Sequence, residues 1–566
     1  MKKLLKLLVI GLFTAGVCTT FTGCLQLISS LLGNVSNNKY YEKEKEQTYT
    51  VKDTGTVYFV KYNTSDDIAV KGAYTGYISG TKSRNEETDE TEEIDKSEES
   101  IISSFSKAPY GLYNDNELIN QMNAKFATLI NKTSSERSAY VPTKPVVNNS
   151  YTRLGDTRSF YLLKYTYNSS GAVIKQETVR KQGKCVKVGT HCNVWFVDQT
   201  SLVDESDLDF NSLVSKFDSI YEKQTKVFGT NTYTTSSDGF IPSSDKIQIV
   251  ICDCMGDAKK EQSSGTFGYQ AFADLLTNEY IEYLQTLKDG DNWKGVYSNE
   301  DQIIYIDSLF YSYKGKKTAG NPNGYYNAQD TIFSTIPHEF NHLLNNIQKY
   351  IKNDTDQMAT WYTEMLSLIT EDLFMDSLGI NESESARGRL PYFDEYYNYG
   401  FTTWLEGENV FISYANAFAY GAFLCRNYGG EKLIKEIATN NAVNEESITK
   451  ALAYCGYNVT FEDTVKDFAN VIVNTSESGK TLNKSGSTTT SGLKLLAIDL
   501  NIDLKDSTGK VVKSYSPKIY AKDDMPNLYP TGFSVHKVGT NLKSFTYYKA
   551  IKDGKNCIES DVIIYK

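Results

Sequence analysis

Two of the four histidines in this 566-residue chain fall in the run Ile336-Pro337-His338-Glu339-Phe340-Asn341-His342-Leu343-Leu344. At about 3.6 residues per turn, His338 and His342 lie one turn apart on a single helical face, so both imidazoles can reach one ion. Glu339 sits beside them, placed to hold a water rather than the metal. Two neutral nitrogen donors with an adjacent carboxylate form half of a Zn2+ site that activates water, with Glu339 as the general base. For so few histidines, chance gives this register with a probability on the order of one in several hundred.

A third ligand is needed, and the next segment offers one. Between Ala359 and Phe374 the residues Trp361, Met365, Leu368, Leu373 and Phe374 recur at helical spacing, and Gly379 follows as a C-terminal cap. Glu364 stands on this helix, far enough beyond His342 for a turn and an antiparallel helix to return its carboxylate to the metal. It completes a His-His-Glu set with one position open for water. Trp361 and the small Ser367 suit a closely packed, buried helix. Glu371, seven positions on, lies near the same face and reads as a hydrogen-bond acceptor for a ligand imidazole. A solvated helix glutamate is the alternative.

These residues carry a resemblance. His338-Glu339-Phe340-Asn341-His342 with Asn345, Trp361-Tyr362-Thr363-Glu364-Met365-Leu366-Ser367 with Glu371-Asp372, and Tyr414-Ala415-Asn416-Ala417-Phe418-Ala419-Tyr420-Gly421 followed by Arg426-Asn427-Tyr428-Gly429-Gly430 resemble the hyicolysin-type family of gluzincin metallopeptidases. The resemblance runs from roughly Cys192 to Val473. It implies a zinc endopeptidase with His338, His342 and Glu364 as ligands and Glu339 as base. Two departures bear on it. Pro337 precedes the first histidine, so the helix is expected to begin near Thr335 with the proline in its first turn. Tyr362-Thr363 replaces the family's Leu-Asn, which touches the contacts behind the metal. The motif alone also admits a zinc hydrolase that is not a peptidase.

Peptide hydrolysis needs one more donor, for the oxyanion. His191 precedes the core strands and His536 lies near the C-terminus, which leaves a tyrosine for that role. Tyr414 and Tyr420 are the candidates, with core aromatics as the alternative.

The elements around these residues read as α+β. A zincin-like metallopeptidase domain, mixed sheet plus helical subdomain, is expected over residues 185–475, flanked by an N-terminal β-rich domain (46–184) and a C-terminal β-rich module (492–566). Residues 476–491, rich in Ser, Thr and Gly, read as a linker. An acidic loop covers 82–105. Asn193 to Val197 and Ile247 to Ile251 are short apolar runs between turns, hence buried strands. Ile303 to Asp307 reads either as a strand beside the cleft or as an ordinary core strand.

The start of the chain looks like targeting. Lys2, Lys3 and Lys6 precede an apolar stretch from Leu7 to Val17, and Phe21-Thr22-Gly23-Cys24 resembles a lipobox. Residues 1–23 are therefore expected to be a lipoprotein signal peptide, Cys24 the lipidated residue and 24–45 a tether; an uncleaved anchor is the alternative. The implied location is the cell envelope, at the outer membrane or cell surface and facing away from the cytoplasm, with protein or peptide substrates. The net charge of −11 speaks against nucleic acid. Gly479-Lys480-Thr481 copies the end of a phosphate loop without its first glycine, so no nucleotide is expected. A rival reading is a catalytically inactive surface lipoprotein that binds host or envelope ligands through its β modules. The intact Glu339 argues against it.

Overall fold

The computed structural model describes residues 45–63 except 53, residues 77–84, 113–114, 122, 123, 125, 126, 129 and 140, and most of 152–565. Within that last span, 168–172, 235–238, 261–263, 288–289, 314–327, 406–408, 474–478, 489–490, 506–509, 525, 550, 553–554 and 557–559 are excepted. The expected signal peptide, Cys24 and nearly all of the tether lie outside the described residues, as does the acidic stretch from residue 85 onward. No helix among the described residues is long and apolar enough to cross a membrane.

In chain order the strands β1 (Lys45–Thr50), β2 (Thr56–Tyr62), β3 (Tyr77–Ser83), β4 (Thr157–Tyr167), β5 (Val173–Val188) and β6 (Cys192–Phe196) lead to helix α1 (Phe210–Phe228). Strands β7 (Ile247–Cys252), β8 (Gly268–Tyr269) and β9 (Ile303–Asp307) follow. The helical part comprises α2 (Ala328–Asn346), α3 (Thr360–Leu378), α4 (Leu390–Tyr396), α5 (Val410–Asn427), α6 (Glu431–Thr439), α7 (Asn444–Tyr454) and α8 (Phe461–Phe468). Strands β10 (Phe533–Thr540), β11 (Leu542–Lys549) and β12 (Ser560–Tyr565) close the chain.

A six-stranded mixed sheet in the order β8-β9-β7-β6-β5-β4 carries the frame. Strands β9, β7 and β6 run parallel and the remaining pairs antiparallel. Val194, Phe196, Ile249, Ile251, Ile304 and Ile306 join the main helical core, while Trp195, Val250, Ile303, Tyr305, Phe160 and Leu162 form a second cluster. Both sides of the central strands are covered, which explains their unbroken apolar runs. Ile303 to Asp307 is thus an interior strand. The edge next to it is β8, whose two residues are too few to show a period in the sequence.

The sheet pairing differs from the separate terminal β modules expected above. Strands β4 and β5 belong to the six-stranded sheet rather than to an N-terminal domain. Strands β1–β3 pair instead with the end of the chain, in the orders β1-β11-β3 and β10-β2-β12, around Val57, Phe59, Ile78, Val538, Phe545 and Tyr547. Alternation marks these segments as strands, but it cannot name a partner at the other end of the chain. The expected linker also differs where it is described: Leu482 is buried, and Ser487 O accepts from Glu431 N at 2.8 Å. Thr481 thus packs against the end of α5 at Asn427, and Ser487 against the start of α6.

Helix α4 buries a carboxylate that has no counter-ion among the described residues. Asp394 is fully buried, and neither of its carboxylate oxygens has a hydrogen-bond partner among the described residues. Burial first, then the charges of Glu395 and Asp499, push its carboxyl up to about 8. The unfolded value is about 3.9, so the native state holds this proton longer. Its contribution to stability is therefore intact at pH 4 and is lost as pH rises toward 8. Asp394→Asn should raise the melting temperature at pH 8 relative to the parent and change it little at pH 4. Equal shifts at both pH values would contradict the titration.

Candidate metal centre

Helix α2 presents the HExxH residues. It begins at Ala328, two turns ahead of the expected start, so Pro337 sits in its interior. The ring there removes a backbone bond and crowds the preceding turn, a cost of about 3 kcal/mol. Tertiary packing offsets it. Ile332, Ile336, Phe340, Leu343 and Leu344 are buried, and Phe340 packs edge-on to Phe217 at 5.2 Å and stacks on Tyr221 at 5.7 Å, both on α1. Gln224 Nε2 also donates to Pro337 O at 2.7 Å.

Helix α3 returns across α2, closed by Gly379 in the left-handed conformation with φ 64°. Asn341 Nδ2 reaches Ser367 Oγ at 3.2 Å, the close helix approach that a small residue permits. This packing brings His338, His342 and Glu364 together, all buried. The two histidine Nε2 atoms are 3.0 Å apart, and Glu364 lies 3.3 Å from that of His338 and 3.4 Å from that of His342. Donors on a tetrahedral zinc, with bonds of about 2.0–2.1 Å, stand about 3.3–3.4 Å apart.

Each imidazole has a partner behind it, and for His338 that partner fixes which nitrogen carries the proton. His338 Nδ1 is 2.8 Å from Glu371 Oε1, and an ionised carboxylate only accepts, so Nδ1 carries the proton. His342 Nδ1 lies 3.1 Å from Thr363 Oγ1. The Nε2 lone pair of His338 then points inward, and the Nε2 atoms of both rings face the Glu364 carboxylate. A proton can bridge only two of these atoms, whereas a dication serves all three. The donor set therefore fits zinc.

Electrostatics point the same way. The His338 imidazole is pushed up to about 10: burial lowers it, but hydrogen bonds with Glu364 and Glu371 outweigh that. Glu364 is held well below the usual carboxylate range, because the charge of His342 and the bonds to both histidines overcome burial. Each direction says that positive charge belongs between these groups. Glu339 and Glu371 are buried here too, and Arg389 lies 3.4 Å from Glu371, where it neutralises one of the three carboxylates.

Ser334 Oγ also donates to Glu371 at 2.9 Å. Sequence reasoning did not single out Ser334, Arg389 or Thr363 as individual contacts. Only Thr363 had a signal, its departure from the family's residue before the ligand glutamate. The oxyanion candidates part company. Tyr420 bonds Thr464 Oγ1 at 2.7 Å and stacks on Phe401 at 4.1 Å, wholly buried in the helical core. It is a core aromatic away from the cluster, because the six positions that separate it from Tyr414 rotate it onto another face of α5. Tyr414 lies near the site's support, with the Arg389 guanidinium 5.6 Å over its ring and Trp404 edge-on at 5.0 Å.

Glu339 faces the edge of the sheet. A Cβ added to Gly268 would come within 2.8 Å of Thr335 Cγ2 and of Tyr305 O, and within 3.1 Å of Glu339 Cγ. Only glycine lets β8 approach the metal helix this closely. A second acidic group, Asp253, Asp257 and Asp307, lies at the ends of β7 and β9. There Asp307 accepts from Phe310 N and Cys254 N, so it acts as a helix and loop cap.

The neutral metalloprotease ShpI of Staphylococcus hyicus is 22% identical to this chain over 313 residues, which make up 54% of this chain and 59% of that protein. The chain thus spans somewhat more than half the length of this curated relative. Among solved structures, an M1 zinc metallopeptidase from Deinococcus radiodurans covers 57% of this chain and 62% of its own, with a TM-score of 0.28 at 9% identity. A point mutant of it covers 56% and 61%, with a TM-score of 0.27 at 8% identity. No family model matches the chain.

Proposed function

We propose that this chain is a zinc-dependent endopeptidase that hydrolyses proteins outside the cytoplasm. The observation that carries the reading is the convergence of three acceptor atoms, two imidazole nitrogens and the Glu364 carboxylate, beside a fourth group, Glu339, that is not one of them. Similarity to a metalloprotease over about half of the chain supports it.

His338, His342 and Glu364 hold the metal. Glu371 and Thr363 orient the two imidazoles through Nδ1, and Arg389 keeps Glu371 ionised. When bound, zinc supplies Lewis acidity to the scissile carbonyl and to the attacking water. Glu339 takes the proton of that water on its carboxylate and later delivers it to the leaving amine. Tyr414 is retained as the candidate donor to the oxyanion. The peptide lies extended along β8, whose Gly268 adjoins Glu339, and pairs with it by strand addition. Anchoring through lipid on Cys24 would place this activity at the envelope surface.

Hydrolysis of unfolded casein by the full chain tests the reading. Cleavage should stop with a zinc chelator, return on adding zinc, and accompany about one zinc per chain. Cleavage that persists in the zinc-free protein would overturn it.

A further inference from the structure

We infer that Asn123 sets how far a bound peptide can follow the sheet edge beside the metal centre, an inference that rests on the peptidase reading above. The argument begins with the direction of backbone groups on β8. Asp307 N donates to Phe267 O at 2.8 Å, and Gly268 and Tyr269 pair with Ile306 and Tyr305. In an antiparallel pair the bonding groups alternate, so Phe267 and Tyr269 turn theirs toward β9, while Gly268 and Gln270 turn theirs outward. Gly268, beside Glu339, is where an added strand would meet the catalytic carboxylate.

Two residues further along, the outward groups already have a partner. Asn123 Nδ2 donates to Gln270 O at 2.7 Å, and Phe272 N donates to Asn123 Oδ1 at 3.0 Å. One carboxamide thus reproduces the pair of bonds that the N–H and C=O of one residue of an added strand would make. Asn346 Nδ2, from the end of α2, holds the Gln270 side chain at 2.7 Å. Asn123 also lines a cavity of about 30 Å³ together with His342, Asn346 and Thr363, so it stands at the end of the metal cleft.

The segment that carries Asn123 is anchored. Phe126 is buried and stacks on Trp293 at 4.9 Å, Leu129 is buried, and Tyr140 packs against Tyr280 at 4.9 Å. These rings belong to the main core, so the carboxamide is a fixed end-stop rather than a displaceable lid. A substrate pairs with Gly268 and must then leave the edge. Residues added on this side of the scissile bond gain nothing.

The test uses two peptide ladders built on one scissile bond, one lengthened on its amino side and one on its carboxyl side. For the parent chain, kcat/KM should rise along one ladder and stay flat beyond the shortest members of the other. In Asn123→Ala the flat ladder should rise about fivefold to tenfold with the next residue, the worth of one or two backbone bonds, while the other ladder is unchanged. Asn123→Ser, which also removes the clasp, should act alike and covers the case in which the alanine variant folds poorly. Ladders that both rise in the parent, or a flat ladder that neither variant moves, would overturn the inference and leave the peptidase reading intact. If the parent cleaves no member and Glu339→Gln binds none by fluorescence anisotropy, the peptidase reading fails and takes the end-stop with it.

Discussion

Glu339→Gln is expected to lower kcat/KM on unfolded casein by at least about 100-fold, while zinc content and melting temperature stay at parental values. The amide keeps the volume of the carboxylate in a buried site but cannot take a proton from water. Loss of a general base costs about 100-fold to 10,000-fold. A hundredfold is about 2.7 kcal/mol of transition-state stabilisation. Metal retention follows from geometry, because Glu339 is not one of the three converging donors. Glu364→Gln should behave differently: it removes the anion that both imidazoles face, so zinc and activity should be lost together. The contrast separates a base from a ligand. Metal analysis beside initial rates reads both, and a Glu339→Gln enzyme within tenfold of the parent would remove Glu339 from the mechanism.

The convergence of His338, His342 and Glu364 was legible in the sequence because its information is local. His338 and His342 are one turn apart on one helix, and a single helical return brings Glu364 to them; Glu371 was open between a partner for a ligand imidazole and a solvated glutamate, and the packing of α3 on α2 places it against His338. What lay beyond reach is carried by contacts between distant segments. Arg389 meets Glu371 from a single 3-10 turn, Ala386–Arg389, too short to show a period, and Gly268 meets Glu339 through a two-residue strand. Asn123 reaches the same edge from a segment far upstream. The terminal strands show the limit most plainly. Alternation identifies β2 as a strand, but its neighbours β10 and β12 lie at the far end of the chain. Pro337 erred the other way. A strong local rule put it in a first turn, and burial of α2 on α1 overrode the rule.

Asp372→Ala should be the most destabilising of these substitutions, by about 3–5 kcal/mol, because it strands two buried cations. Asp372 follows Glu371 on α3, so the helix turns one carboxylate to the metal centre and the next to the other side. There Asp372 bonds Arg387 and Arg426, each at 2.8 Å, and all three side chains are nearly inaccessible. Both guanidiniums also donate to Leu496 O, and Arg387 reaches Ala497 O as well, so this cluster pins the segment after α8 onto α3 and α5. Although burial opposes its charge, Arg426 and then Arg387 hold the Asp372 carboxyl below its ordinary value. The loss compares with a typical total stability of 5–15 kcal/mol, so thermal or proteolytic unfolding should move sharply. Arg426→Ala should cost less than Asp372→Ala, since Arg387 keeps Asp372 and also pairs with Glu382. In a double-mutant cycle the pair Asp372→Ala and Arg426→Ala should be less damaging than the sum of the single changes, because the second removes a cation that the first left unpaired. Strict additivity would mean that the charges are not coupled. Because Glu364 rides on the same helix, the single Asp372 variant should also bind zinc more weakly at temperatures where it is still folded.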